Sequence, residues 1–400
     1  MRGFVDYYSP RTACTYRIAA VIFTMMNPMY STIKNEILLA ALVSMAVLLG
    51  VFVALEQFTA LNALQWLLLA DGLWAYVCWQ LWRRVELNRA DESAPLYPTL
   101  GWANRLTLVR GGLIALTGGF LLQPQTAGLI AWVPGVLYAV AALLDRMDGF
   151  IARRTKHTSL LGSELDTVYD ALGLLVAPLL AVGYGKVHWS FLLVSAAYYI
   201  FVWGMYWRRT HNLPVYPLMP SLLRRTLAGF QMGFVAFVLL PCFHAPLTTL
   251  MGIAFMLPIL FGFIVDWLVV SGRIPSNTQS RVFFDRLAQF SQYYFQPSLR
   301  TLLFVVVVIF IFLEKTHTPI SIQTSLLLLA AAALLGFAGR VAALCILIVI
   351  TLLQGENVLN AVNAAIILSS VWLMLLGTGR FSIWQWDDRW VNRRDGEDSH

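Results

Sequence analysis

The sequence predicts an all-α polytopic membrane protein, and three observations carry that reading. Of its 400 residues, 59% are hydrophobic and only 12% charged, about half the charged share of a soluble globular domain, and the mean hydropathy is +0.69. The apolar residues come in continuous runs of about 20, the length a helix needs to cross a bilayer. An outer-membrane barrel would instead alternate over about ten residues. Finally, Lys and Arg sort to one side of the spans those runs define.

Helix-length windows place twelve spans, near residues 37–55, 61–82, 104–122, 127–149, 160–184, 188–207, 225–243, 247–271, 300–313, 320–338, 341–353 and 357–376. Two of them, 300–313 and 341–353, fall below the usual minimum of about 17 residues, so each must borrow flanking residues or sit in thinned bilayer. The stretch Arg17–Tyr30 is too short to span, is interrupted by Pro28 and lacks a small-residue cleavage site. It reads as an interfacial segment, or as residues ahead of a start at Met25, Met26 or Met29.

With residues 1–36 in the cytoplasm, the connections 83–103, 150–159, 208–224, 272–299 and 339–340 and the C-terminal tail share that side. All but two of the 28 basic residues, Lys186 and Lys315, go with them. Both termini are therefore expected inside, with an even number of spans. The net charge of +7 reads as a topology signal rather than a nucleic-acid surface. Cys14, Cys78, Cys242 and Cys345 show no CxxC or His-Cys spacing and read as packing residues.

Three sections follow: 1–95 with two spans and a polar stretch, Val85–Pro95, that reads as a linker; 96–272 with six spans; and 273–400 with four. Ionisable residues inside spans are costly, about 2.5–3.5 kcal/mol for a mid-helix Asp even on the lenient insertion scale. Four occur together. Asp145 and Asp148 end one span three residues apart, and Asp166 and Asp170 open the next four apart. Each spacing puts its pair on one helix face, and the short connection makes the two helices antiparallel neighbours.

Four crowded carboxylates repel one another, and one or two divalent cations are the usual relief. Oxygen-only ligation favours Mg²⁺ or Mn²⁺ over zinc. Gly149 and Ala152 on the Asp145/Asp148 side, and Gly162 on the Asp166 side, leave room for a flat or bulky ligand. Arg153 supplies a charge suited to phosphate. Together these describe phosphoryl transfer. The competing explanation is that the acids pair with Arg146, Arg153 and Arg154 at the membrane surface.

The pattern Asp145-x2-Asp148-Gly149-x2-Ala152-Arg153-x8-Gly162-x3-Asp166-x3-Asp170 resembles the signature of the CDP-alcohol phosphotransferase (CDP-alcohol phosphatidyltransferase) family at every defined position. The run Asn104-Arg105-Leu106-Thr107-Leu108-Val109-Arg110 is similar to the family's Asn-x-Leu-Thr-x-x-Arg at the start of its first core helix. The resemblance covers residues 96–272 and implies a six-helix core, here with two extra N-terminal and about four extra C-terminal helices.

It implies metal-dependent displacement of CMP from a CDP-linked lipid such as CDP-diacylglycerol by a hydroxyl acceptor, in phospholipid biosynthesis at the cytoplasmic face of the cell membrane. Asp145, Asp148 and Asp166 would hold one ion, and Asp145, Asp166 and Asp170 the other. Asp170 would also take the acceptor's proton. Asn104, Arg105, Leu106, Thr107, Gly149, Arg153 and Ser159 would contact the CDP-lipid. Arg110 is equally well explained as an anchor at the membrane edge. A homodimer is the expected assembly.

Arg208, Arg209, His211, Arg224 and Arg225 bracket one loop on the expected cytoplasmic side. The four arginines are candidates for a phosphorylated acceptor, with the positive-inside distribution as the alternative. The LeuAspProxxAspLys pattern associated with the glycerol-phosphate branch is missing after Gly162. Asp71 and Asp266 are lone intramembrane acids, each either functional or bonded to a neighbouring helix. Asn357, Asn360 and Asn363 form a polar stripe explained by interhelical bonding, and the final four spans, ending LeuGlyThrGlyArgPheSerIleTrp, faintly resemble DoxX-like four-helix membrane proteins. A transporter or ion pathway using the acids, or a non-catalytic scaffold, are the competing functions.

Overall fold

Each expected span falls on a helix. The computed structural model describes residues 28–58, 61–218, 221–275, 278–314, 318–354 and 360–392; Cys14, Arg17 to residue 27, Lys315 and Asn357 lie outside the described residues. The helices are α1 (Pro28–Phe58), α2 (Ala63–Trp82), α3 (Gly101–Gly118), α4 (Val133–Arg154), α5 (Leu160–Gly183), α6 (Leu192–Thr210), α7 (Leu222–Val238), α8 (Leu247–Val270), α9 (Thr278–Phe290), α10 (Gln296–Leu313), α11 (Ile320–Leu335), α12 (Gly339–Gln354), α13 (Ala361–Leu376) and α14 (Trp386–Asn392). Among the described residues the only β pairing is a single bridge, Phe337 with Trp384.

Local chemistry explains where these helices start and stop. Asn62, Ser221 and Asn360 cap α2, α7 and α13, each side-chain oxygen accepting from the backbone amide three residues on. Such caps satisfy amides a helix cannot satisfy itself. Gly336 ends α11 at φ 67°, a left-handed turn that glycine adopts freely.

Six stretches are long and apolar enough to cross a bilayer: Thr32–Gln57, Gly128–Arg154, Leu160–Gly183, Trp189–Thr210, Leu247–Val270 and Val282–Leu313; α11, α12 and α13 are shorter apolar helices. The span expected at 300–313 borrows as anticipated. A π-helical turn, Ser291–Phe295, joins α9 to α10, so the helical run extends well ahead of residue 300.

The described chain divides into two compact units whose boundaries fall within α3, α4 and α5. One comprises residues up to Ala115 with Leu143–Tyr169, the other Leu116–Ala142 with Asp170 onward. In the first, α1 packs on α2. The polar stretch expected to be a linker is ordered there: Val85–Leu87 form a 3-10 turn, and Asn88 is fully buried. Its side-chain amide donates to the Thr99 carbonyl (2.9 Å), and its backbone carbonyl accepts from Tyr97.

In the second unit, α6 and α7 pack on α8. Helices α10 to α13 form a ring in which each touches its sequence neighbours and α10 meets α13, while α13 also leans on α8. The interior of this four-helix bundle is apolar, with Leu303, Val307, Phe310, Ala330, Ile346, Ile350, Ile366 and Leu373 buried together. Asn360 caps α13, but the buried side-chain amide of Asn363 makes no hydrogen bond. Interhelical bonding therefore does not account for that position.

One end of the bundle is closed by a charged lock. Arg340 at the start of α12, 5% exposed, bonds Asp388 through Nε and the Met374 carbonyl through Nη1 (2.6 Å). Asp387 accepts from the Arg340 amide (2.7 Å), and Asp388 from the Thr378 amide (3.0 Å). Burying these charges is tolerable because each is met by several partners. Cys78, Cys242 and Cys345 are free thiols.

Candidate active site

The site is built from α3, the end of α4 and the beginning of α5. Close approach of α3 to its neighbours depends on Gly111: a Cβ there would stand 2.8 Å from Val77 and 3.2 Å from the Tyr169 ring. Tyr169, fully buried, fixes the same junction by donating to the Val77 carbonyl (3.0 Å). Ser159 caps α5, its hydroxyl accepting from the Gly162 amide (3.0 Å). A side chain at Gly162 would collide with Asn104 Oδ1 at 2.7 Å, so glycine lets α3 and α5 touch.

On α3, residues 104, 107 and 110 follow one helical face and are 2%, 3% and 1% exposed. Asn104 donates to Asn88 Oδ1 and to Ser159 Oγ, both at 3.1 Å. Thr107 donates to Asp148 Oδ2 (2.8 Å). Arg110 reaches the acids themselves. Its Nη1 contacts Asp145, lies 2.8 Å from Asp166 and 3.4 Å from Asp148, and its Nη2 donates to the Asp166 main-chain oxygen (3.2 Å).

The acids are graded in exposure. Asp148 is buried, Asp145 and Asp170 are half-buried, and the Asp166 side chain is 47% exposed. Asp145 and Asp166 offer carboxylate oxygens within 4.8 Å of each other, and Asp170 follows one turn further along unbroken α5. Hard oxygen donors at this spacing fit Mg²⁺ or Mn²⁺, which take carboxylates at about 2.0–2.2 Å.

Gly149 leaves open space, since a Cβ there would meet only the Arg153 guanidinium, at 3.3 Å. Arg153 itself is exposed in the last turn of α4. Between α4 and α5, His157 stacks on Tyr97 with ring centroids 3.9 Å apart. Burial holds its pKa below the ordinary histidine value, against a hydrogen bond to the Leu100 backbone that favours the charged form.

Residues 100–274 match the family model of the CDP-alcohol phosphatidyltransferases. Members of that family transfer a substituted phosphate group from a CDP-alcohol to an acceptor. No curated protein and no solved structure matches the chain.

Within the matched segment, the expected contact residues divide. Thr107 reaches the acids through Asp148, while Asn104 and Ser159 bond each other where α3 meets the start of α5. Arg105 turns away, pairing with Glu36 (3.1 Å) and stacking over Trp102; Leu106 is half-buried beside it. The structure removes the ambiguity over Arg110, which is buried among the acids instead of anchoring at the membrane edge.

Asn88 was missed because it sits in a stretch that reads as a linker. Its only signal is an asparagine sixteen residues ahead of Asn104. Among the acceptor candidates, Arg224 forms a two-pronged pair with Asp266 (2.7 and 2.5 Å), which gives that acid a structural role. Arg208 ties the Pro214 and Ser271 carbonyls. Arg209 closes α6, Arg225 is exposed on α7, and Asp71 is half-buried on α2.

Proposed function

We propose that this protein transfers a phosphatidyl group from a CDP-linked lipid such as CDP-diacylglycerol to a hydroxyl acceptor, releasing CMP, at the cytoplasmic face of a cell membrane during phospholipid biosynthesis. The observation that carries this reading is the convergence of Asp145, Asp148 and Asp166 with Asn104 and Thr107, in a segment that matches the family. Arg153, Arg154 and Lys156 around the α4–α5 connection support the cytoplasmic side.

Two Mg²⁺ or Mn²⁺ ions, held by Asp145, Asp148, Asp166 and Asp170, would supply charge neutralisation of the pyrophosphate and of the departing CMP. The chain's own residues do the rest. The opening at Gly149 admits the nucleotide, with Arg153 beside it for phosphate. Asn104, fixed by Asn88 and Ser159, is a rigid amide for the CDP moiety, because its partners leave it one orientation. Thr107 orients Asp148.

Asp170 takes the acceptor's hydroxyl proton as the acceptor oxygen bonds to the lipid-bearing phosphorus. The phosphoanhydride bond breaks, and CMP leaves with the electron pair. The test is CMP release by purified full-length protein in lipid nanodiscs with CDP-diacylglycerol, across serine, inositol, inositol phosphate and glycerol phosphate, with Mg²⁺, Mn²⁺ or chelator. Acceptor-dependent CMP release that stops in chelator is expected. Full activity in chelator overturns the metal reading, and no release with any acceptor overturns the transferase reading for these substrates.

A further inference from the structure

Arg110 contributes five permanent hydrogen-bond donors at a depth where its side chain is 1% exposed. A single nitrogen, Nη1, touches Asp145 and lies 2.8 Å from Asp166 and 3.4 Å from Asp148. These three carboxylates come from two helices, and they are the set assigned above to one of the two ions. A divalent ion shared by them would need the same lone pairs and the same small volume between α4 and α5.

The geometry points to Arg110 as a built-in counter-ion that occupies this cation position when no metal is bound and competes with the metal for it. The inference rests on the metal reading of the preceding section. It answers a question that reading leaves open: what stands between three crowded carboxylates before an ion arrives. One guanidinium lowers their mutual repulsion. Because it does not lose its proton, it can yield the site only by moving. Its second nitrogen, bonded to the Asp166 main-chain oxygen at 3.2 Å, keeps a hold on α5 that does not depend on the carboxylates, so withdrawal of Nη1 need not release the side chain.

A residue that only orients the carboxylates makes the opposite prediction. Removing an orienting group weakens metal binding, whereas removing a competitor strengthens it. The experiment is Mn²⁺ titration of the purified full-length protein, by calorimetry and by electron paramagnetic resonance of free Mn²⁺. Wild type, Arg110→Gln, Arg110→Lys and Asp145→Asn are compared, with the melting temperature of each recorded in chelator and in saturating Mn²⁺.

Arg110→Gln is expected to bind Mn²⁺ at least about 10-fold more tightly than wild type, to melt lower in chelator and to gain more from Mn²⁺. Asp145→Asn should bind it more weakly than wild type. Unchanged or weaker Mn²⁺ affinity in Arg110→Gln overturns the inference while leaving the metal reading standing. A wild-type protein that binds no Mn²⁺ overturns the metal reading itself. Should Arg110→Gln fail to fold even in Mn²⁺, Arg110→Lys decides: it keeps the charge but loses the forked reach, so the inference requires tighter Mn²⁺ binding than wild type, and equal or weaker binding rejects it.

Discussion

Asp148 and Asp170 belong to one motif but live in different surroundings. Asp148 is buried and its Oδ2 already accepts from Thr107 and Arg110, while Asp170 is half-buried and the better placed to meet an acceptor. Asp170→Asn is expected to lower kcat by about 10²–10⁴ with donor affinity little changed, read from CMP release and from CDP-lipid binding. Lost binding with intact turnover would move the base elsewhere. Gly149→Leu should weaken donor binding by about 10-fold or more with an unchanged melting temperature, because only a flexible guanidinium borders the added Cβ. His157 gives a pH signature. Its pKa is lowered by burial in the fold, so the unfolded chain binds more protons near its ordinary value of about 6.5. The stability it contributes is present above that value and is lost as pH falls through the folded one. Melting temperature should therefore decline on acidification in wild type and decline less in His157→Phe, which keeps a ring against Tyr97. The aspartates were legible in the sequence because their spacing is local. Arg110 was ambiguous because Asp148 and Asp166 stand 38 and 56 positions away, and nothing local distinguishes a buried arginine from an interfacial one.

Helix positions followed directly from apolar run length, since a chain crossing lipid must satisfy its own backbone and does so as a helix. Helix partners did not, because they depend on small residues whose neighbours come from distant sequence. Gly111 illustrates the difference: within α3 it is merely a poor helix former, yet the Val77–Tyr169 contact leaves no room for more. Gly111→Val is expected to cost about 1–3 kcal/mol through overpacking, measured by thermal unfolding in detergent. An unchanged melting temperature would mean that α3 can shift freely against α2 and α5. The supposed linker makes the same point, since a polar composition marks Val85–Pro95 as a connection but does not reveal that Asn88 is buried to hold Asn104.

At the scale of the molecule, the positions of twelve helices and the family segment were readable in advance, but the closure of α10–α13 into a ring was not, because its lock joins residues 48 positions apart. Asp388→Ala should destabilise the bundle by about 3–5 kcal/mol, the cost of leaving Arg340 buried without its counter-charge, seen as an earlier unfolding transition in denaturant. No change would mean that the Met374 and Leu375 carbonyls suffice for the guanidinium. The lock also sets an order of events during synthesis. Arg340 leaves the ribosome 48 residues before Asp388, a delay of about 2–10 s at ~5–20 residues per second. Throughout that interval α12 carries a cation with no carboxylate to meet it, so the ring can be latched only after α13 and the following turn have been made, and a ribosome stalled between them would hold the bundle open for chaperones and proteases to find.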